Sequence, residues 1–211
     1  TQRSEDPVQG TCFCTVPQAT DGEASNPGPF EVESLNVTSA IAQLELILSS
    51  MAHVVGLQET KLTDARRIKF MRSLEARGWS SVFGEMLEHP KAAGGVAILG
   101  RPGVRVRKVA PVGPLGHKLW KTKRFCHATC AIGPGAKDCL HIISVYGYTN
   151  ADKNTEAKRL NEELLRDVLE YCAGFGEVPF VFVGDLNTNP TASPTLYAAL
   201  QSHRWYDSAI L

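Results

Sequence analysis

The amino-acid sequence predicts an α/β sandwich in which central sheets are flanked by helices. Short apolar runs that suit buried strands alternate with segments whose apolar residues recur at helical spacing. Several strands also follow one another without an intervening helix, and this mixture is typical of sheets covered by helices on the outside. With 211 residues, of which 43% are hydrophobic, the chain is long enough to bury one well-packed domain.

The strands are predicted from apolar runs that are bounded by turn-forming residues. Residues 1–30 contain four prolines and many small polar residues, which predicts a flexible leader before one domain over residues 31–211. HVVGL and PFVFV are continuous apolar runs that suit buried strands, whereas residues 104–109 alternate apolar with basic and suit a half-exposed strand. The predicted strands are 32–37, 53–57, 80–83, 95–99, 104–109, 125–132, 140–146 and 179–183.

The helices are predicted from apolar residues that recur every three or four positions. Ile41, Leu44 and Ile47 give this spacing to the segment 40–51, and Leu160, Leu164 and further apolar residues give it to 154–171. The predicted helices are 40–51, 64–77, 154–171 and 195–200. Residues of catalytic type stand directly after buried strands, where strand ends fix geometry and loops remain accessible.

Charge and cysteine content exclude some classes of protein and leave others open. The 22 basic residues balance 22 acidic ones, so a nucleic-acid surface would have to arise from local patterning. No run of roughly 18 apolar residues predicts a membrane span, and the polar residues 1–10 do not resemble a signal peptide. We expect a nuclear or cytoplasmic protein that is not secreted and whose cysteines are reduced thiols. A zinc site remains an alternative for the group Cys126, His127, Cys130 and Cys139.

Three short segments carry candidate chemistry. Glu59 follows the HVVGL strand and is a suitable oxygen ligand for Mg²⁺, although, taken alone, a surface Glu that starts a loop explains it better. Asp185 and Asn187 follow PFVFV; an Asp can accept a proton from water and an Asn amide can stabilise an oxyanion, while an Asx-rich turn is the alternative. Tyr146 ends another predicted strand and can hydrogen-bond a phosphate oxygen or simply pack there.

The order of these segments resembles the endonuclease/exonuclease/phosphatase family, also called DNase I-like. The chain reads SLNVTS with Asn36, LQET, GGVAIL, SVYGY and GDLNTNP. The resemblance implies a four-layer sandwich of two facing sheets and hydrolysis of phosphate esters with Mg²⁺ or Mn²⁺. It implies that Glu59 and Asn36 lie at the metal and that Tyr146, with Tyr148 as alternative, contacts the phosphate. Asp185 and Asn187 match the pair that orients the nucleophile and stabilises charge.

The family pattern ends with an Asp-His pair that has no counterpart here. The chain ends at Leu211, so we expect the domain to be incomplete at its C-terminus. Losing one such group typically costs on the order of a hundred- to a thousand-fold in rate, so this chain is expected to be nearly inactive alone. GGVAIL and GDLNTNP resemble the endonuclease domains of non-long-terminal-repeat retrotransposons. That likeness implies a reverse-transcriptase region in the same polyprotein.

A basic stretch supports DNA as the substrate. Residues 101–124 hold eight Lys or Arg and no acid, which suits a phosphate backbone as well as a solvated surface. Its predicted nucleic-acid contacts are Lys118, Lys121, Lys123 and Arg124. Because a fold does not choose a substrate, two alternatives stay open. One is a phosphatase or phosphodiesterase acting on RNA, lipid or inositol phosphates, and the other is a catalytically dead remnant.

Overall fold

A computed structural model describes residues 11–14, 30–133 and 139–207 of the chain. Ten strands and five helices occur within these residues. The strands are β1 (Thr11–Cys14), β2 (Val32–Asn36), β3 (Val54–Gln58), β4 (Ser80–Phe83), β5 (Val96–Gly100), β6 (Val106–Lys108), β7 (Phe125–Ala131), β8 (Cys139–Tyr146), β9 (Phe180–Asp185) and β10 (Tyr206–Asp207). The helices are α1 (Leu44–Ser49), α2 (Asp64–Glu75), α3 (Gly113–Lys121), α4 (Thr155–Ala173) and α5 (Pro194–Gln201).

The strands form two sheets that face each other. The smaller sheet has the order β2-β3-β5-β4, and the larger has the order β10-β1-β9-β8-β7-β6. Their inner faces meet in one apolar layer that contains residues such as Ile98, Ile142 and Val183. Helices α1 and α2 cover the outer face of the smaller sheet, and α3, α4 and α5 cover the outer face of the larger one. The four-layer α/β sandwich is thereby confirmed.

Two parallel strand pairs direct chain ends to one edge of the sandwich. In the smaller sheet β2 runs parallel to β3, with Asn36 opposite Gln58. In the larger sheet β8 runs parallel to β9, with Tyr146 opposite Asp185. Parallel neighbours end at the same edge of a sheet, so the segments that follow all four strands lie close together.

Three elements are absent from the sequence prediction: β1, α3 and the two-residue strand β10. The leader predicted over residues 1–30 includes β1, which pairs antiparallel with both β9 and β10. Residues 113–121, within the basic stretch, form helix α3 with a proline in its first turn. This helix is not predicted because it begins with Gly113, Pro114 and Gly116, and glycine and proline oppose a helix interior. It can form because proline is accepted in the first turn of a helix. Within the described residues, none of the helices combines the length and apolar character that a bilayer crossing requires.

Candidate active site

The side chains of Asn36 and Asp185 meet across the two sheets. The Asn36 amide, at the end of β2, donates a hydrogen bond of 2.7 Å from Nδ2 to Oδ2 of Asp185, at the end of β9. The Asn36 Oδ1 accepts from the backbone N–H of Thr38, which fixes the orientation of the amide. Both side chains are half-buried. Two side chains that are far apart in sequence are therefore in contact at the edge of the sandwich.

Glu59 leaves the end of β3 in an uncommon backbone conformation. Its φ is 57°, in the left-handed region that side chains other than glycine, asparagine and aspartate seldom adopt. Such conformations concentrate at functional sites, where surrounding structure holds them in place. The next residue, Thr60, donates its N–H to the carbonyl of Gly95 at 3.0 Å and so fixes the turn. The Glu59 side chain is 20% exposed and lies 3.5 Å from the Lys61 ammonium.

Tyr146 ends β8 beside both carboxylates. Its side chain is buried between the sheets. Burial raises the pKa of the Tyr146 phenol well above its ordinary value, and the nearby charges of Glu59 and Asp185 raise that pKa further. The phenol therefore stays protonated at neutral pH and can donate a hydrogen bond. Glu59 belongs to the same edge, because the preceding residue Gln58 lies opposite Asn36 in the parallel pair of β2 and β3.

Asn187 and Gly147 bring the segments after β9 and β8 into contact. The Asn187 N–H donates to Oδ1 of Asp185 at 3.2 Å, and its Nδ2 donates to the Gly147 carbonyl at 3.2 Å. Asn187 has a φ of 49°, which asparagine tolerates. A Cβ at position 147 would lie 2.2 Å from the carbonyl oxygen of Leu186, so only glycine permits this approach. The carboxylate of Asp185 is thus held by amides on two sides.

Arg124 lies inside the site. The sequence predicts it as a surface contact to nucleic acid, but the structure leaves only 7% of the residue exposed. Its Nη1 donates to the carbonyls of Tyr146 and Gly147, at 3.2 and 2.7 Å, and its guanidinium lies 4.2 Å from the centre of the Tyr148 ring. Burial lowers the pKa of Arg124, an effect that Tyr148, Tyr146 and Glu59 oppose. The side chain is directed inward because β7 starts beside the end of β8.

The three lysines predicted to contact nucleic acid differ in their surroundings. Lys118 on α3 binds Glu163 at 2.7 Å and Asp167 at 2.6 Å on α4, so its charge is already neutralised. Lys121 is exposed at the end of the same helix. Lys123 binds the highly exposed Glu88 at 2.8 Å, and a surface pair of this kind contributes little and exchanges readily. In sequence, Lys123 directly precedes Arg124, and Lys121 lies three residues before it.

The donors at this edge fit a hard cation better than zinc. Mg²⁺ binds through one or two carboxylates and retains water and substrate oxygens, and Glu59, Asp185 and the Asn36 amide are donors of this type. Among the residues that the structure describes, no group of three or more His, Cys, Asp and Glu is arranged to hold a metal. A structural zinc site needs such a group, whereas a magnesium site does not.

The residues of the alternative zinc site do not converge, because neighbouring members lie on opposite faces of the larger sheet. Cys126 and His127 are neighbours in β7, so their side chains point to opposite faces of the sheet. Cys126 lies in the layer between the sheets, where burial raises the pKa of its thiol to about 12. His127 faces α4 and bonds the Tyr171 hydroxyl at 3.1 Å and the His141 ring at 3.0 Å. These residues serve packing.

Sequence reasoning does not find two groups that support the site. One is Arg124 in its interior position, and the other is a polar group formed by Ser34, Gln58 and Ser144 between the sheets. A polar Gln58 ending an otherwise apolar strand is a signal for the second group. The first has no local signal, because the partners of Arg124 are carbonyls of a strand that is distant in sequence.

Comparison with known proteins identifies the family to which this fold belongs. A family model described as the Endonuclease/Exonuclease/phosphatase family matches residues 33–207. No curated protein sequence matches the chain significantly. The solved structure of an AP endonuclease from Archaeoglobus fulgidus is similar, with 16% identity, a TM-score of 0.56, and coverage of 83% of this chain and 70% of that one.

Two further solved structures share the fold. The human Nocturnin catalytic domain has 15% identity and a TM-score of 0.55, with coverage of 94% of this chain and 73% of that one. A 3′-5′ exonuclease from Neisseria meningitidis has 20% identity and a TM-score of 0.51; the match covers 76% of this chain but only 59% of the exonuclease. At these identities the likeness shows the fold alone. Together with the family match over most of its length, it establishes that the chain belongs to the endonuclease/exonuclease/phosphatase family.

Proposed function

We propose that the chain is a Mg²⁺-dependent phosphodiester hydrolase that nicks DNA, in the manner of a retroelement endonuclease. The observation that carries this proposal is the 2.7 Å hydrogen bond between Asn36 and Asp185, which unites motif residues from both sheets at one edge. Mn²⁺ is the natural substitute for Mg²⁺ at such a site. We also propose that a reverse-transcriptase region belongs to the same polyprotein and that the protein acts in the nucleus or cytoplasm.

Each side chain has a role in this proposal. Glu59 and Asn36 would hold the cation, which would supply Lewis-acid polarisation of a phosphoryl oxygen when bound. Asp185 accepts the proton of the attacking water, and its carboxylate is oriented by the amide of Asn36 and the backbone of Asn187. The protonated Tyr146 phenol donates to a phosphate oxygen, and the Asn187 amide stabilises charge as it develops.

Supercoiled plasmid provides the direct test. With Mg²⁺ and at high enzyme concentration, the chain should nick supercoiled DNA slowly, in keeping with the low activity expected from its sequence, and Asp185→Ala should reduce that nicking to background. Ser193→Ala, at the start of α5, is a suitable control that removes a buried hydroxyl outside the site. Hydrolysis of an inositol phosphate or phospholipid, with plasmid left intact at every enzyme concentration, would replace the proposal by the phosphatase alternative. Equal nicking by Asp185→Ala would refute the assigned role of Asp185.

Salt dependence of binding tests DNA as the substrate separately from catalysis. Lys121→Ala and Lys123→Ala should weaken binding to all DNA sequences alike and reduce the slope of log affinity against log salt by about one each. Lys118→Ala should leave the slope nearly unchanged, since Glu163 and Asp167 already neutralise that ammonium. Fluorescence anisotropy with a labelled duplex measures all three. An unaltered slope in Lys121→Ala and Lys123→Ala would assign these lysines to a solvated surface.

A further inference from the structure

A polar group lies inside the apolar layer between the two sheets. Ser34 on β2 donates to Oε1 of Gln58 on β3 at 3.2 Å, and Gln58 Nε2 donates to Oγ of Ser144 on β8 at 3.0 Å. The Ser144 hydroxyl in turn donates to the Leu57 carbonyl at 3.1 Å. Gln58 and Ser144 are fully buried and Ser34 is 7% exposed. We call these three residues the inter-sheet clamp.

The clamp lies one step behind the candidate active site. Ser34 stands two residues before Asn36, and Ser144 stands two residues before Tyr146. Because side chains on a strand alternate between faces, residues two apart share a face, so the clamp and the site lie on the same inner faces. Gln58 immediately precedes the left-handed turn at Glu59. The clamp thus connects to site residues from both sheets.

The clamp adds directional contacts to a layer in which apolar packing and steric fit otherwise set the position of one sheet against the other. The rest of this layer is mainly aliphatic, and apolar packing is not directional. At Gly56 the sheets approach so closely that an added Cβ would lie 2.3 Å from Val183, and the Ser144 hydroxyl is next to the same point. Burying polar groups is costly unless they are hydrogen-bonded, and the clamp meets that condition with bonds of defined geometry.

We propose that Gln58, acting through Ser144, is a positioning residue that holds the Glu59 carboxylate against the Tyr146–Asp185 edge. It does not contact substrate. The inference rests on the proposed function for its catalytic meaning, because the distance between Glu59 and Tyr146 decides whether one cation and one phosphate can engage both sheets. The partners that orient metal ligands typically change metal affinity by 10- to 100-fold when they are lost.

Two measurements on the purified chain test the clamp. Gln58→Met removes the amide at similar length, and Ser144→Ala removes only its partner on β8. Both variants should weaken Mn²⁺ binding, followed by electron paramagnetic resonance, by at least about tenfold. The double variant should be no weaker than Gln58→Met alone, since both changes break one connection. In metal-free protein, the ¹³Cζ resonance of labelled Tyr146 should shift in both single variants.

An apolar change in the same layer provides the matched control. Ile98→Val and Ile98→Ala, opposite Gly56, lower stability by two different amounts without touching the clamp. The Ile98 variant whose unfolding midpoint is nearest to that of Gln58→Met should keep both the Mn²⁺ affinity and the Tyr146 resonance of the natural chain.

The outcomes separate the inference from the proposed function. If the natural chain binds Mn²⁺ through Glu59 while Gln58→Met keeps that affinity and the Tyr146 resonance, the positioning role is wrong and the proposed function stands. If the natural chain binds no Mn²⁺, the proposed function fails. The Tyr146 resonance then decides alone: an unmoved signal in Gln58→Met and Ser144→Ala overturns the coupling between clamp and site, and a shift supports it.

Discussion

Glu59 combines a strained backbone with the cation-binding role proposed for its carboxylate. Its left-handed conformation begins the turn after β3, and the hydrogen bond of Thr60 to Gly95 fixes that turn. A glycine in this position would relax the backbone at the loss of the carboxylate. The strain therefore persists because the surrounding strands hold it, which is the usual condition for such residues.

Replacing Glu59 by glutamine should weaken divalent cation binding without harming the fold. The change keeps size and shape but removes the negative charge that a hard cation requires, so Mn²⁺ affinity should fall by at least about tenfold. Isothermal titration calorimetry provides the measurement. Glu88→Gln is the control, because this carboxylate is 84% exposed and pairs only with Lys123 among the described residues. Equal affinities of Glu59→Gln and the natural chain would remove Glu59 from the metal site.

Arg124→Met should destabilise the folded chain by roughly 2–4 kcal/mol. The variant removes the charged donor from the carbonyls of Tyr146 and Gly147, and losing such a donor is costly even though the Gly147 carbonyl keeps its bond from the Asn187 amide. Urea unfolding provides the free energy of unfolding. Lys121→Met, on the exposed end of α3, should change it by no more than about 0.5 kcal/mol. A stability loss of that small size in Arg124→Met would mean that water replaces the guanidinium at the carbonyls.

Sequence reasoning predicts α4 to within two residues at each end. Asn154 caps it by accepting from the N–H groups of Glu156 and Ala157, at 2.9 and 3.0 Å, and its apolar face is regular. Helix α3 is missed because its breakers occur in the first turn, where they are tolerated; Leu115 and Leu119, four residues apart, are the signal that remains. Local patterns therefore predict elements with a regular apolar face and fail where glycine and proline mask it.

The junction of α4 with β7 and β8 should make the fold sensitive to acid. Burial, together with the neighbouring His141, lowers the pKa of His127 to about 3, while in an unfolded chain a histidine titrates near 6.5. Between pH 6.5 and about 3, the His127 imidazole is thus protonated in the unfolded chain but neutral in the folded chain. The stability contribution of neutral His127 is complete above pH 6.5 and is lost progressively as the pH falls toward 3.

Urea midpoints measured from pH 7 to pH 5 test this, since most carboxylates stay ionised in that window. The midpoint of the natural chain should decrease as the pH falls. In His127→Gln, which keeps a polar group facing Tyr171 but has no imidazole, the decrease should be smaller. Parallel curves for the two proteins would show that His127 titrates normally in the folded state.

At the scale of the whole molecule, the sequence predicts the layers better than the edges. Apolar runs identify the central strands, and the motif order predicts that Asn36, Glu59, Tyr146, Asp185 and Asn187 meet. The outer strands β1 and β10 have no such signal: they are short, and their partners are set by tertiary pairing. The inward turn of Arg124 and the bonds of the inter-sheet clamp likewise depend on residues that are distant in sequence.

Removing residues 1–29 should destabilise the chain, because β1 covers β9. The four residue pairs between these strands would be lost, and the edge of β9, an apolar strand that ends at Asp185, would be open to other chains. We expect a lower urea midpoint and concentration-dependent self-association in size-exclusion chromatography. A chain lacking only residues 1–10 retains β1 and should behave like the natural chain. Identical behaviour of the two shortened chains would show that residues 11–14 do not stabilise the sheet.

The position of β1 also has a consequence for the order in which the protein is made. A ribosome releases Thr11–Cys14 long before Phe180–Asp185, yet these strands are direct neighbours. At about 5–20 residues per second, the first strand waits on the order of ten seconds or more for its partner. The smaller sheet, whose strands are all made earlier, can form during that interval. The larger sheet, and with it the edge that carries Asp185, is completed only after β9 and β10 have been made.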